Sequence, residues 1–213
     1  MENTNRNNPE VKISSVSPLS VKDYQKLIVN ELSNVFSNVP IEPEWSAMTD
    51  SRDLYCPRLD VVVGPFAMGN NQFEHTYDDM MNNSHSLIDR MLAFHHENIE
   101  KLSFEVAQTS WDDLFYTNQN ARCFLAIEIE NEVSRKHLIG GAVNASALGR
   151  IGIVVAWNEE KLKAMVKLRR YLNFLTRVKK NSFNTENLII LDPPQLIDCI
   201  IRSPLKDKPI ERF

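Results

Sequence analysis

Apolar positions fall into two kinds of run along this chain. Four runs are short and nearly continuous: Val61-Val62-Val63, Cys123 to Ile129, Ile151 to Trp157, and Leu188 to Leu191. Such runs, bounded by turn residues, read as buried strands. The other runs repeat every three or four residues. Val21, Tyr24, Leu27, Ile28, Leu32 and Val35 make a helical stripe from Ser20 to about Phe36, with Ser20 as N-cap and Asp23 three residues on. Ile88, Met91, Leu92, His95 and Ile99 make a second, capped by Ser86 and running to about Lys101. Leu162, Met165, Val166, Leu172 and Leu175 make a third, from Glu159 to about Lys179, capped by Asn158. Between the two long strands lies a helix of small residues, whose Leu138, Gly141, Ala142 and Ala145 should meet the sheet. Pro193-Pro194 opens a last helix over Gln195 to Arg202.

The pattern predicts an α/β fold in which at least the last three strands pair in parallel through helical crossovers. A single domain should span 20–202. Within it, 67–121 is a helical insertion that covers or flanks the core, with 67–83 as loop. Residues 38–56 also read as loop, because Pro40, Pro43 and a polar run interrupt any periodicity. Residues 1–19 read as a flexible lead-in with a short extended piece near Val11 to Val16, and 203–213 as an irregular tail.

Composition narrows the function classes. The apolar fraction of 43% leaves material for a sizeable core in 213 residues. A net charge of -4 gives no global attraction to nucleic acid, so such binding needs a local patch. Cys56, Cys123 and Cys199 form no CxxC pair, which fits a reducing, cytoplasmic setting. No run approaches the ~18 apolar residues of a membrane span, and no membrane contact is expected.

Charge sits oddly on the predicted strands. Asp60 enters the triple-valine strand, and Glu128 and Glu130 lie two apart, on one face of the next. Glu31 falls inside the first helix's apolar stripe. Clustered buried carboxylates repel one another unless a cation neutralises them, and hard divalent ions prefer oxygen ligands.

Pro57-Arg58-Leu59-Asp60 followed by Glu128-Ile129-Glu130, a helix and another strand resembles the restriction-endonuclease-like nuclease superfamily. Its motif is Pro-Asp, a spacer, then Asp or Glu, any residue, and Lys. Here two residues separate Pro57 from Asp60, and Glu130 stands where most members have Lys. The resemblance implies a mixed central sheet flanked by helices and a Mg²⁺- or Mn²⁺-dependent endonuclease acting on DNA. It places Asp60 and Glu128 on the metal, with Glu130 as a third acid holding the metal and orienting the water, and Glu31 as an auxiliary acid from the first helix. Lys136, or His137 and Asn144 on one side of the small-residue helix, are further candidates for the edge of the site.

From Lys161 to Lys180 eight cations occur without an intervening acid. Lys161, Lys163, Lys167, Arg169 and Arg170 are the candidates for phosphate contact, against the alternative of a solvated helix face. Two other readings of the whole chain stand beside the nuclease. One is an inactive module on the same fold that binds nucleic acid or a protein. The other is an interaction protein whose acids pair with Arg58, Arg122 or Arg135. A homodimer is compatible with each of the three readings.

Overall fold

The computed structural model describes residues 19–48, 56–102, 106–132, 134–180 and 183–204. The expected lead-in (apart from its last residue) and most of the tail lie outside them, as does the Thr49 to Asp53 run. Five strands form one mixed sheet in the order β1-β2-β3-β4-β5. They are β1 (Ile41–Ser46), β2 (Arg58–Val63), β3 (Cys123–Glu130), β4 (Gly149–Ala156) and β5 (Leu188–Leu191). The β1–β2 and β2–β3 pairs are antiparallel; β3–β4 and β4–β5 are parallel. The last three strands therefore pair as their apolar runs imply. Their crossovers are α5 (Arg135–Leu148) and α6 (Glu159–Arg177).

Alternation divides the core in two. Val61, Leu125, Ile127, Ile153 and Ile189 face one cluster, shared with α1 (Val21–Val35), α3 (His85–Lys101) and α7 (Pro193–Ile201). Val62, Ala126, Val154 and Ile190 face the other, shared with α5 and α6. α1 starts where its sequence says: Ser20 Oγ accepts the Asp23 amide at 3.1 Å. It buries Tyr24, Ile28, Leu32 and Val35, each worth about 1.5–3 kcal/mol of transfer. α5 lies unusually close to the sheet. A Cβ on Gly152 of β4 would stand 2.8 Å from backbone atoms of Ala145 and Ser146, so only glycine admits that approach.

Three expectations need correction. Residues 38–56 are not all loop: β1 is a strand, although it offers only Ile41 and Trp45 as apolar members and contains Pro43. Pro43 is tolerated because β1 is an edge strand, with one side free of a ladder partner. Residues 67–83 contain α2 (Glu74–Asn83), a polar helix held by Tyr77, Met80 and Met81. The cap of α3 is Ser84, not Ser86, and it makes no side-chain capping bond. The region 67–121 does cover the core: α2, α3 and α4 (Trp111–Tyr116) all contribute to the first cluster. At their junction Arg150 of β4, fully buried, pairs with Asp78 of α2 and lies 5.3 Å over the Phe115 ring.

β5 is the other edge of the sheet, yet it is not left open. Its outer backbone groups bond to side chains. Ile190 N–H donates to His95 Nδ1 at 3.0 Å, and Asn98 Nδ2 donates to Ile190 O at 3.1 Å. Thr109 Oγ1 donates to Leu188 O at 2.9 Å. His95 can accept because burial, reinforced by the charge of Arg169, pulls its pKa down to about 3 and keeps the ring neutral. Side chains thus do the work of a sixth strand. Asn98→Ala would strip Ile190 O and Gln195 of their partner. Urea denaturation should show a loss of about 1–3 kcal/mol, and an unchanged midpoint would refute this account of the edge.

Among the described residues no helix is long and apolar enough to cross a membrane.

Candidate functional site

The antiparallel register aligns acids across three strands. β1 and β2 pair Pro43 with Val61 and Trp45 with Leu59, which sets Glu44 level with Asp60. β2 and β3 pair Val61 with Ile127, so one step further Asp60 comes level with Glu128. The row is therefore Glu44, Asp60, Glu128, with Glu130 two residues beyond on β3. Glu128 and Glu130 are each only 8% exposed.

Asp60 is fixed by the end of a ladder. The ladder between β2 and β3 runs from Leu125 to Ile127. The Ile129 N–H beyond it donates instead to Asp60 Oδ2 at 2.6 Å. The Glu128 carboxyl lies within hydrogen-bonding contact of the Asp60 carboxyl. Two carboxyls that meet, one buried and one half-buried, cannot both ionise cheaply. Burial first, then the charges of Asp60 and Glu130, push Glu128 up to about 9. Burial also raises Asp60, against the lowering effect of the Ile129 bond. Glu130 is raised by burial and by Asp60, and lowered by His137.

Glu130 turns toward α5. A Cβ on Gly141 would stand 2.2 Å from Glu130 Oε1, so the missing side chain of Gly141 makes the seat for that carboxyl. The main chain of Glu130 accepts the Trp157 N–H at 3.0 Å, which ties the end of β3 to the end of β4.

Asp60 and Glu128 thus meet across the two strands, with Glu130 two residues beyond and His137 close enough to act on it. Glu31 is half-buried on α1. The α1 residue that reaches the row is Gln25, about 9 Å earlier along the helix. Its Nε2 donates to Asp60 O at 2.6 Å and to Glu44 Oε1 at 3.1 Å. Lys136 is exposed and Asn144 half-buried on α5, and Lys136 is not among the charges acting on the acids.

Glu44 was hidden from sequence reasoning because its strand was. Its φ of 53° puts a non-glycine residue in the left-handed region, at a cost of about 1–2 kcal/mol. Arg58 Nη1 lies 3.9 Å from its carboxylate. Gln25 could have been found only by knowing which face of α1 crosses β2.

The arginine-pairing account of the acids does not hold for the residues described. Arg58 goes to Glu44, and Arg122 donates to the carbonyls of Gly69 and Asn71. The Arg135 side chain lies outside the described residues. Among them no ion pair engages Asp60, Glu128 or Glu130.

The donors are all carboxyl oxygens, the chemistry a hard cation takes. As they stand, no three His, Cys, Asp or Glu side chains among the described residues are gathered to hold a metal ion. Asp60 and Glu128 converge, whereas Glu130 is drawn off onto Gly141. The fit is to a two-carboxylate cradle.

The cations of α6 do not act as one face. Lys161 is buried, with Nζ 3.7 Å from Glu160, and Lys163 pairs with Glu159 at 2.6 Å. Arg169 is 1% exposed and donates to the carbonyls of Thr185, Glu186 and Leu188 and to Thr109 Oγ1. It is a structural clamp, and its place in the stripe of Met165, Val166 and Leu172 was the signal for that. Lys167 and Arg170 remain on the exposed side.

The architecture and the site define an α/β protein built on a mixed sheet, with a buried Glu128 meeting a half-buried Asp60 at the β2–β3 junction. No protein-family model, curated protein or solved structure matches the chain.

Proposed function

We propose that this chain is a Mg²⁺- or Mn²⁺-dependent endonuclease of the restriction-endonuclease-like class, cutting DNA by attack of water on a phosphodiester. The observation that carries the reading is the meeting of Asp60 on β2, half-buried, with Glu128 on β3, buried, without an ion pair among the described residues. These are the two acids the motif resemblance assigns to the metal. The mixed sheet flanked by helices is the setting it implies. A divalent cation bound there would polarise a phosphoryl oxygen and lower the pKa of a bound water.

The protein's own parts divide the remaining tasks. Ile129 N–H orients the Asp60 carboxylate, and Gln25 braces the strand behind it. Glu130 holds the position of the motif lysine. Seated on Gly141 and under the influence of His137, it is the group that takes the proton of the water. Glu44 adds negative charge to the row, which favours a cation over an anion at this end of the sheet.

Loss of a residue that merely supports a metal ligand typically costs about 10–100-fold, so Asp60→Ala or Glu128→Ala should slow plasmid cutting more than ~100-fold in Mg²⁺ or Mn²⁺. Equal cutting by the wild type and both variants overturns the assignment. The replacement of the motif lysine by Glu130 favours one second reading, a nuclease-fold module that binds without cutting. Retention of DNA with no cleavage by any of the three proteins would select it.

A further inference from the structure

The outward face of α6 carries a second pattern, opposite its core stripe. Lys167, Arg170, Tyr171, Phe174, Arg177 and Val178 lie 3, 4, 7, 10 and 11 residues along from the first of them, so they form one stripe along the helix. Tyr171 is 50% exposed and Phe174 47%. Large aromatics on the solvent side of a helix that already has a full apolar face contribute nothing to the core. Arg177 lies 6.0 Å over the Phe174 ring, a cation–π spacing.

This stripe borders a groove of about 750 Å³ that is also lined by Ala107, Gln108, Asp113 and Glu186. Asn173 Nδ2 bridges to Ala107 O at 3.4 Å. Arg169 forms part of the lining, and its Nε has no partner although it is buried. The acids at the groove are committed. Asp113 accepts from Ser110 Oγ at 2.7 Å, and Glu186 accepts from Asn184 at 3.1 Å. The free cation Lys167 makes no ion pair among the described residues.

Cations for a backbone, interleaved with flat apolar rings, are the two elements that hold a nucleic-acid strand with unstacked bases. A duplex offers phosphates but hides its base faces, so the rings would find nothing to stack on. We propose that the α6 groove binds single-stranded nucleic acid, with Lys167, Arg170 and Arg177 on phosphates and Tyr171 and Phe174 stacking bases. α6 runs back from the end of β4 that adjoins Glu130, and Lys167 to Arg177 lie about 12–27 Å along it at 1.5 Å per residue. The groove is thus a holding site, separate from the carboxyl pair. It gives the proposed nuclease a substrate class, nucleic acid with unpaired bases. It rests on that reading for the cutting alone, not for the binding.

The test is fluorescence anisotropy of a labelled oligo-dT and of a duplex of equal length, in EDTA so that no cleavage occurs. Oligo-dT should bind about tenfold or more tighter than duplex. Tyr171→Ala and Phe174→Ala should each weaken it roughly tenfold, while Tyr171→Phe should retain it. Lys167→Ala should lower the slope of log affinity against log salt by about 0.7. Equal or tighter duplex binding, alanine variants that match the wild type, or no binding of either probe overturns the proposal. Cutting is scored separately. Intact cleavage by Asp60→Ala defeats the nuclease reading and leaves the groove standing, and normal cleavage without oligo-dT binding does the reverse.

Discussion

Glu128→Gln is expected to stabilise the protein in EDTA at pH 8 by the order of a few kcal/mol, and to flatten its stability between pH 5 and 9. The folded protein holds the Glu128 proton to about pH 9, whereas a glutamate in the unfolded chain releases it near 4.5. The folded state therefore binds more protons through that window, and stability falls as pH rises. The contribution is complete below the unfolded value and is lost as pH climbs through the folded one. The maximal slope is about 1.36 kcal/mol per pH unit for one proton. Asp60 and Glu130 are raised in the same sense and add to the trend. A glutamine keeps the shape and a donor for Asp60 but has no proton to lose. Against a typical total of about 5–15 kcal/mol this is a large change. Urea melts of both proteins at pH 5, 6.5 and 8 decide it. Parallel curves would mean that Glu128 is not buried as described.

What the chain discloses about itself follows physical lines. β3, β4 and β5 were legible because parallel strands buried on both faces must be apolar at nearly every position, as Cys123–Glu130 and Gly149–Ala156 are. The two charges that break β3 were legible for the same reason. β1 was not, because an edge strand needs few apolar residues and tolerates Pro43, and Glu44 was lost with it. α2 was not, because its three buried residues lie among Asn, Asp and His. Glu31 and Arg169 mark the limit of the helical wheel. Both fall within apolar stripes, yet Glu31 is only half-buried, whereas Arg169 is buried and finds four oxygen acceptors there. The wheel gives the face of a helix, not what the neighbouring loop or strand end presents to it. That the acids face one another across β2 and β3 depends on the strand register, which no periodicity announces.

Divalent-cation affinity should rise steeply with pH, by about tenfold per unit between pH 6 and 8. Metal ligands bind deprotonated, and Glu128 is protonated throughout that range. Each cation that enters the Asp60–Glu128 cradle must expel at least that proton. Below the folded pKa one released proton gives a slope of one in log affinity against pH, and any proton released by Asp60 or Glu130 steepens it. Calorimetry with Mg²⁺ or Mn²⁺ in two buffers of different ionisation enthalpy counts the protons directly. The same event reverses the pH trend of stability. At a cation concentration 100 times the dissociation constant the folded state gains about 2.7 kcal/mol, and it gains most where the cation-free protein is weakest. Glu128→Gln should therefore behave in opposite ways in the two media: more stable than wild type in EDTA at pH 8, but with little of the wild type's gain on adding Mg²⁺ or Mn²⁺. A cation response that is independent of pH, or one that Glu128→Gln retains in full, would place the cation elsewhere and remove the chemical basis for cutting at this pair. A pH-linked response lost in both Glu128→Gln and Asp60→Asn would assign one ion to two strands, which a structural acid pair could not mimic.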